Sequence, residues 1–516
     1  MLLRIPITLA ALLSTGAPAL GAPVIRDADT RAWWSVIGDL SGDDMEGRDT
    51  GSAAHARAVQ YVEAKFKAAG LQPAGEGGGY TQTIPLHEVK VEKDGTSFVV
   101  VHNGGGETPL VFLHQISVRA TEALPSVLDA PMSFRGYCSK AELGGEMKGK
   151  VAVCFGGRRR GVPSAAERLS AAEAAGAVGL IAVDDPGFTI EPARWPDAYA
   201  RTVNFHGAKP PAAPQMAVMR LSDEVFGELI QGSGQKAADV LAAGAASRPL
   251  AAFDIPARLR ASFNLTTRDY TSDNVLGLLP GTNPVLEPEV VVVSAHLDGY
   301  GFGEPVKGDA IYNGAFDDAA YVATLIRLAE QRHGRGFKRS VLFAAFTGEE
   351  KGLLGATWFT QHPTAPKTNL AADINLDQLR PLFPLKILTM HAVDDTTLGA
   401  TVKGVAAPMH IEIRPDREPE RNLLSRADHW PFLQIGVPAT GFVFGYDPGT
   451  EAEQRYREWY RVRYHRPQDD MTQPIDFQAA ADFNTFFYRL TEAVADAPER
   501  PSFLPDSPLK PKAGGK

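Results

Sequence analysis

Two short runs of apolar residues stand out in the hydrophobic pattern of the chain, at residues 290–293 and 341–346. Both runs are apolar at every position rather than at alternate positions, which is typical of buried strands in a parallel sheet. In open α/β sheets the functional groups gather just beyond the carboxyl ends of the strands. The residues that follow each run are therefore the first candidates for a functional site.

Helical and extended patterns alternate along most of the remaining sequence. Ser52 is placed to cap one of the helices, and Gly70 to end it. Such alternation predicts a three-layer α/β/α domain with a mainly parallel sheet. We expect helices at residues 29–40, 53–69, 164–175, 353–361, 428–433 and 477–495, and strands at residues 148–154, 177–183, 373–377, 385–390 and 437–443.

Ionisable side chains follow both apolar runs. After the first run comes His296-x-Asp298, a spacing that puts both side chains on one side of an extended segment. The imidazole can bind a metal ion while the carboxylate orients it. Glu349 and Glu350 follow the second run and point in different directions, so one can hold metal while the other acts as a general base. Together with the acidic segment at residues 313–318, they predict a zinc site, with two metal ions favoured.

Five motifs in this order resemble the co-catalytic dizinc aminopeptidase family. This family includes bacterial leucyl aminopeptidase and, more distantly, glutamate carboxypeptidase and the transferrin receptor. The motifs are His-Leu-Asp at 296–298, Gly-Ala-Phe-Asp-Asp at 314–318, Gly-Glu-Glu-Lys-Gly-Leu-Leu-Gly at 348–355, Asn-Leu-Asp at 375–377 and Tyr-His-Arg-Pro-Gln-Asp at 464–469. The resemblance implies the zinc-exopeptidase fold and a peptide substrate.

All five metal-ligand positions of the family hold the expected residue type in this chain. The resemblance implies that Asp317 bridges two Zn²⁺ ions. His296 and Asp377 would complete the protein ligands of one ion, and Glu350 and His465 those of the other. Two metal ions held in this way can polarise a carbonyl and lower the pKa of a bound water.

Catalytic and substrate-binding roles follow from the same resemblance. Glu349 would take the proton of the water and deliver it to the leaving amine, and Asp298 would orient the first histidine ligand. Tyr464 and Tyr446 are candidates to donate hydrogen bonds to an oxyanion, with ordinary aromatic packing as the alternative. His429 lies in a segment similar to a substrate-pocket motif of the family, so it is a candidate to line the site.

The composition changes between residues 103 and 259, where no ligand cluster occurs. The strand–helix–strand order in this segment resembles the smaller, β-rich protease-associated domain that is often inserted in the family. Such an insert would narrow access to the site and, since it brings no ligand, is expected to leave metal affinity unchanged; the alternative is a structural appendage.

The predicted division is a signal peptide at 1–22, the N-terminal part of the catalytic domain at 23–102, the insert at 103–259, the catalytic domain at 260–500 and a disordered tail at 501–516.

The start of the chain has the pattern of a secretory signal, with one positive charge, an apolar run and small residues near position 22. No later stretch reaches the length of a transmembrane helix. We therefore expect an exported protein, periplasmic or extracellular, without a membrane anchor after cleavage. Cys138 and Cys154 can pair in an oxidising compartment or remain two buried thiols, and the sequence leaves both open.

Overall charge and motif content restrict the function further. A net charge of −9 gives no indication of a positively charged surface for nucleic acid. No Gly-x-Ser-x-Gly elbow precedes a helix, which disfavours a serine hydrolase. The favoured function is a secreted, zinc-dependent aminopeptidase, with a carboxypeptidase or dipeptidase on the same site as the alternative. A receptor-like binding protein that has lost catalysis should lack a metal ligand or the general base, and none of these residues is missing here. The sequence does not indicate an oligomeric state.

Overall fold

The computed structural model of the protein describes residues 25, 27–157, 161–186, 196–208, 216–365, 369–377 and 379–511. The predicted signal peptide at residues 1–22 lies outside the described residues, as do residues 512–516 of the predicted tail. No helix in the described part of the chain is long and apolar enough to cross a membrane.

Helices and strands alternate through the chain as the sequence predicts. The helices are α1 (Ala28–Ser41), α2 (Ala53–Ala68), α3 (Ala165–Ala174), α4 (Phe226–Leu229), α5 (Ala237–Ala245), α6 (Ala320–Arg332), α7 (Leu354–Gln361), α8 (Leu398–Ala406), α9 (His429–Gln434), α10 (Glu451–Val462) and α11 (Phe477–Ala495). The strands are β1 (Gln72–Pro73), β2 (Thr81–His102), β3 (Glu107–Leu110), β4 (Ile116–Val118), β5 (Val127–Phe134), β6 (Val151–Phe155), β7 (Gly179–Val183), β8 (Arg201–Phe205), β9 (Ala217–Leu221), β10 (Phe253–Leu279), β11 (Val290–His296), β12 (Gly301–Val306), β13 (Asp309–Tyr312), β14 (Ser340–Phe346), β15 (Leu370–Asn375), β16 (Ile387–Met390), β17 (Glu412–Arg414), β18 (Ala439–Thr440) and β19 (Phe442–Phe444).

The two all-apolar runs form the neighbouring strands β11 and β14 at the centre of the catalytic sheet. The order here is β18-β15-β11-β14-β10, and β11 runs parallel to both β14 and β15. Alternate residues of β11 enter different cores: Val291 and Val293 pack with α1, α2, α6 and α11, whereas Val290 and Val292 pack with α7 and α9. The mixed α/β fold with three layers and a mainly parallel sheet is thus confirmed.

A second lobe is built on the same long sheet. Strands β5, β6, β7 and β9 pair in parallel and enclose a separate hydrophobic core with α4. The predicted strand–helix–strand segment is present as β6, α3 and β7, and Cys138 and Cys154 form a disulfide in this lobe. The 27 residues of β10 pair with β5 at one end and with β14 at the other. The two lobes therefore share a continuous strand, and the lobe boundary falls inside β10 rather than in a linker.

Two local predictions differ from the structure, and one helix was not predicted. Residues 501–511 are predicted to be disordered, but Phe503 and Leu509 pack on a hydrophobic core and Leu504 N donates to Asp395 O at 2.8 Å. The predicted strand at 437–443 is split into β18 and β19, because the chain changes sheets at Gly441. Helix α10 was not expected, although Thr450 caps it and three aromatic side chains on one face are buried: Tyr456, Trp459 and Tyr460.

Candidate metal centre

The carboxyl ends of three adjacent strands bring the predicted ligands together. His296 ends β11, and the register pairs it with Phe346 at the end of β14. Asn375 ends β15 and pairs with Ser294 of β11. Because the three strands are parallel, the residues that follow β14 and β15 emerge at the same edge as His296.

Asp317 lies between the two histidines, with one carboxylate oxygen toward each. Its Oδ1 is 3.5 Å from His296 Nε2, and its Oδ2 is 3.5 Å from His465 Nε2. Glu350 Oε2 lies 3.9 Å from the same nitrogen of His465. The ligand atoms of Asp317, Glu350 and His465 form one group within 4.8 Å of one another, and His296 and Asp377 belong to a second such group. The structure thus places all five predicted ligands at one site.

The second group includes Asp318, which sequence reasoning did not choose as a ligand. Its Oδ2 accepts a hydrogen bond from His296 N at 3.1 Å, and one of its carboxylate oxygens lies within 4.8 Å of ligand atoms of His296 and Asp377. The peptide bond between Asp317 and Asp318 is cis. Asp318 thus fixes the end of β11 through Oδ2, while its Oδ1 is buried without a hydrogen-bond partner among the described residues.

Buried ligand atoms without hydrogen-bond partners test whether a metal ion fits. Among the described residues, His296 Nε2, Asp317 Oδ2, Asp318 Oδ1 and Glu350 Oε1 are buried and have no such partner. Leaving a buried polar atom unpaired is unfavourable by about 1–3 kcal/mol, and by more for a charged group. Imidazole nitrogen and carboxylate oxygen are the donors that zinc binds. The residues present therefore fit a metal centre.

The tautomer of His296 agrees with this reading. Its Nδ1 lies 3.0 Å from the backbone oxygen of Asp298, to which it donates, so that Nε2 keeps its lone pair toward Asp317. The sequence predicts that the Asp298 carboxylate orients the ring, but that carboxylate is 3.7 Å from Nδ1. It accepts instead from Thr50 Oγ1 at 2.8 Å and from Glu349 N at 3.1 Å. The carboxylate of Asp298 thus fixes the turn that carries the predicted base.

Asp317 is held from both its backbone and its side chain. The carboxylate of Asp469 accepts from Phe316 N and Asp317 N, each at 3.0 Å. Arg380 Nη2 lies 3.6 Å from Asp317 Oδ2. Burial would raise the pKa of Asp317, but Arg380 and the two histidines outweigh burial and hold that pKa below its usual range. Asp317 is therefore an anion in the folded protein, as a bridging ligand must be.

The two glutamates leave β14 through a turn that begins at Gly348. Gly348 has φ +68°, and a Cβ there would lie 3.0 Å from Leu354 Cβ, so glycine suits this position. Burial raises the pKa of Glu349, and the adjacent Glu350 carboxylate adds to that rise. The residue after the pair, Lys351, is tied to Asp49 at 2.8 Å. The turn is thus anchored on both sides of the glutamates.

The three candidate substrate-binding residues differ in their positions. Tyr464 is buried and stacks on the His465 ring at 3.6 Å, so it packs behind a ligand. The ring of Tyr446 contacts Tyr456, and its hydroxyl donates to Glu418 at 3.3 Å, so neither contact is with a predicted ligand.

His429 is fully buried, and its Nε2 lies 3.3 Å from His391 Nδ1, which makes it a core residue rather than part of a pocket wall. Burial, followed by the neighbouring His391, lowers its pKa well below the usual value. The adjacent Asp428 was not singled out by sequence reasoning. It is buried close to the charges of His296 and Asp298, and in the described structure neither of its carboxylate oxygens has a hydrogen-bond partner.

His465 also contacts two tyrosines that the sequence did not connect with the site. Tyr199 OH lies 2.7 Å from His465 Nδ1, and Tyr300 OH lies 3.3 Å from the same nitrogen. Tyr199 belongs to the segment predicted to be an insert. No local pattern marks it, because 266 positions separate it from the histidine.

Comparisons with known proteins agree with this geometry. Residues 274–491 match the sequence profile of Peptidase family M28. The leupeptin-inactivating enzyme 1 of Streptomyces exfoliatus is 26% identical over 274 residues, which cover 48% of this chain and 58% of that protein. A probable zinc metalloprotease of Pyrenophora tritici-repentis is 30% identical over 230 residues, covering 38% and 51%. The chain thus spans about half the length of these curated relatives.

A solved structure shows the same fold over nearly the whole chain. It is BSAP, a zinc aminopeptidase from Bacillus subtilis, with a TM-score of 0.59 and 18% sequence identity. The superposition covers 90% of this chain and 94% of that one. Both lobes therefore have counterparts in that structure.

Proposed function

We propose that the protein is a zinc-dependent exopeptidase, with aminopeptidase activity favoured, because residues 274–491 match the sequence profile of Peptidase family M28. We further propose two zinc ions at the site. Asp317 would bridge them, with His296 and Asp377 on one side and Glu350 and His465 on the other.

The position of Asp317 is the observation that carries this proposal. A carboxylate with one oxygen at 3.5 Å from each of two histidine Nε2 atoms is suited to link two metal ions. A single-metal site needs no such arrangement, and a structural zinc site is closed by four protein ligands. The adjacent residues Asp317 and Asp318 belong to different ligand groups, and a third group, His296 with Glu349 and Glu350, shares one residue with each of them.

Zinc at this site would supply Lewis acidity and a water of lowered pKa. Residues of the protein would then transfer the proton of the attacking water. Glu349 is partly buried, its carboxylate lies in one group with His296 and Glu350, and its backbone N donates to Asp298 at 3.1 Å. We propose that its carboxylate accepts the proton of the attacking water and delivers it to the leaving amine.

Two observations bear on which end of a peptide substrate the enzyme cleaves. A curated relative from Bacillus subtilis, 23% identical over 205 residues, is named Aminopeptidase YwaD, which favours an aminopeptidase. A carboxypeptidase or dipeptidase on the same site is the second candidate. Arg421 and Arg461 already pair with Glu418 and Glu458, so these two arginines do not by themselves favour a substrate carboxylate. The cavity of about 1350 Å³ beside Tyr199, whose lining contains none of the predicted metal ligands, is lined by several arginines. Those on the catalytic lobe are Arg421, Arg426, Arg461 and Arg466.

The same cavity supports a role for the second lobe in substrate access. Its lining includes Tyr199 and Arg201 from that lobe and Arg421 and Arg466 from the catalytic lobe. We propose that the second lobe is a protease-associated domain that narrows the entrance. The predicted signal peptide supports the further proposal that the protein is exported.

An assay on matched substrates tests the function. Purified protein is given aminoacyl amides, N-blocked aminoacyl amides, and dipeptides whose N-terminus is free or blocked and whose C-terminus is free or amidated, each with and without a chelator. An aminopeptidase cleaves only substrates with a free amine and stops when chelated. Cleavage of N-blocked substrates that requires a free carboxylate would favour the second candidate, and no cleavage of any substrate would contradict the proposal.

A further inference from the structure

One side chain of the second lobe, Tyr199, reaches the metal centre. His465 directs Nε2 toward Asp317 and Glu350, and its other nitrogen lies 2.7 Å from Tyr199 OH. A histidine that binds metal through one nitrogen carries its proton on the other and donates it to an oxygen nearby. The phenol oxygen of Tyr199 can therefore accept a hydrogen bond from Nδ1–H of His465.

The short helical turn that carries Tyr199 is fastened to the catalytic lobe. Pro196 forms a bridge with Gly303, and a Cβ at Gly303 would lie 2.5 Å from Pro196 Cα. This close approach requires glycine at position 303. Lys93 pairs with Asp197 of the turn at 2.9 Å and with Glu304 of strand β12 at 2.6 Å.

A second set of ion pairs holds the other end of the turn. Arg201 follows it directly and pairs with Asp49, and Asp49 also pairs with Lys351 at 2.8 Å. Lys351 is the residue after the predicted ligand Glu350. The turn is therefore bound to the catalytic lobe at both ends, and these contacts hold Tyr199 against His465.

On the basis of the proposed function, we infer that Tyr199 is a positioning residue that fixes the orientation and tautomer of the zinc ligand His465. The second lobe then completes the metal centre in addition to shaping access to it. This changes the sequence-based expectation that the insert leaves metal affinity unaffected, because that expectation considered ligands only.

The test is Tyr199→Phe, which removes the hydroxyl and keeps the ring packed on Tyr300 at 5.6 Å. Removing the partner of a ligating histidine lowers metal affinity by about 10–100-fold. Zinc titration of the stripped protein, followed by calorimetry, should show this loss for one ion and an unchanged affinity for the other. In the cobalt-substituted protein, the visible absorption of one site should change.

Tyr137→Phe is the matched control. Tyr137 lies in the same lobe and donates its hydroxyl hydrogen bond to Arg248 O at 2.7 Å, so it loses an equivalent bond away from the centre. It should bind both ions like the parent, and thermal unfolding checks that both variants are folded. Two parent-like zinc affinities in Tyr199→Phe would overturn the inference while leaving the peptidase proposal intact. A parent protein without zinc would contradict the proposed function itself.

A separate cluster on the surface carries a second inference. His87 of β2 lies directly opposite Asp269 of β10, and its Nδ1 is 2.6 Å from Asp269 Oδ1. His206, just after β8, places its Nδ1 3.1 Å from the same oxygen. On the far side of the His87 ring, Nε2 is 3.2 Å from Glu122 Oε1. The three side chains come from neighbouring strands, and none is a residue of the centre described above.

These positions are close to those of zinc ligands. Ligands at 2.0–2.1 Å around a tetrahedral zinc ion are roughly 3.3 Å apart, so small movements of three partly exposed side chains suffice. Glu122 is placed as the carboxylate that accepts from the far nitrogen of a ligating histidine. We propose that His87, His206 and Asp269 bind one further divalent transition-metal ion, with water completing the coordination.

Zinc titration of the protein with its main centre filled tests this second proposal. The parent should bind one additional ion, and His206→Ala should lose it while retaining the others. His362→Ala removes another exposed histidine and should keep the additional ion. The proposal is wrong if the parent takes up no further zinc or if His206→Ala takes it up equally well.

Discussion

The two adjacent glutamates after strand β14 should respond differently to the same substitution. Glu349→Gln keeps the shape of the side chain and removes the carboxylate that accepts the proton. Its backbone N donates to Asp298 at 3.1 Å, so the turn does not depend on the Glu349 carboxylate. Loss of a general base lowers kcat by about 10²–10⁴-fold, or roughly 2.7–5.4 kcal/mol in the barrier. Metal content should stay at the parent value.

Glu350→Gln should act on the metal instead. Oε1 of Glu350 is buried without a hydrogen-bond partner in the described structure, and Oε2 lies 3.9 Å from His465 Nε2. Changes to residues that only support a ligand already lower affinity by about 10–100-fold. Removal of an anionic ligand should therefore weaken the binding of one zinc ion by at least about 100-fold, and added zinc should restore part of the activity.

Both variants are compared in one experiment. Each protein is dialysed against metal-free buffer, its zinc content is measured by elemental analysis, and kcat is determined with and without added zinc. The reasoning is refuted if Glu349→Gln loses an ion while Glu350→Gln keeps both, since the two roles would then be exchanged.

Three further predictions concern the residues that support the centre. Asp298→Asn should lower kcat by about 10–100-fold with both ions retained, as steady-state kinetics and metal analysis will show, because it disturbs the turn of the base. Arg48→Lys should destabilise the fold by about 3 kcal/mol in denaturant unfolding, because the buried guanidinium donates to four backbone carbonyls that a lysine cannot all reach. Burial raises the pKa of Asp49, but Lys351 and Arg201 outweigh it and leave that pKa lowered, so its ion pairs stabilise the protein above about pH 4 and are lost as the pH falls further. The difference in unfolding free energy between the parent and Asp49→Asn should therefore be large at pH 7 and shrink below pH 4.

The sequence predicts the central strands and the ligand set because both have local signatures. The runs at 290–293 in β11 and 341–346 in β14 are apolar at every position, since both faces of these strands are covered by helices. The role of Asp298 was predicted less well. Strand β11 ends at His296, so the alternation rule for extended chain does not continue to Asp298, and its carboxylate turns to Thr50 instead.

Contacts between segments that are far apart in the sequence could not be predicted from local sequence patterns. Tyr199 meets His465 only because the turn at Asp197–Ala200 is fastened to strand β12, and neither segment has a motif for this. His429 was a pocket candidate from its motif alone. Its burial beside His391 depends on where helix α9 packs, which the motif does not encode.

Metal content measured together with activity tests the central claim most directly. The account predicts two zinc ions per chain in protein that releases N-terminal residues, loss of activity when both ions are removed, and recovery when zinc is returned. Protein that is fully active with no bound transition metal would contradict it, because Asp317 between two histidines would then have no catalytic purpose.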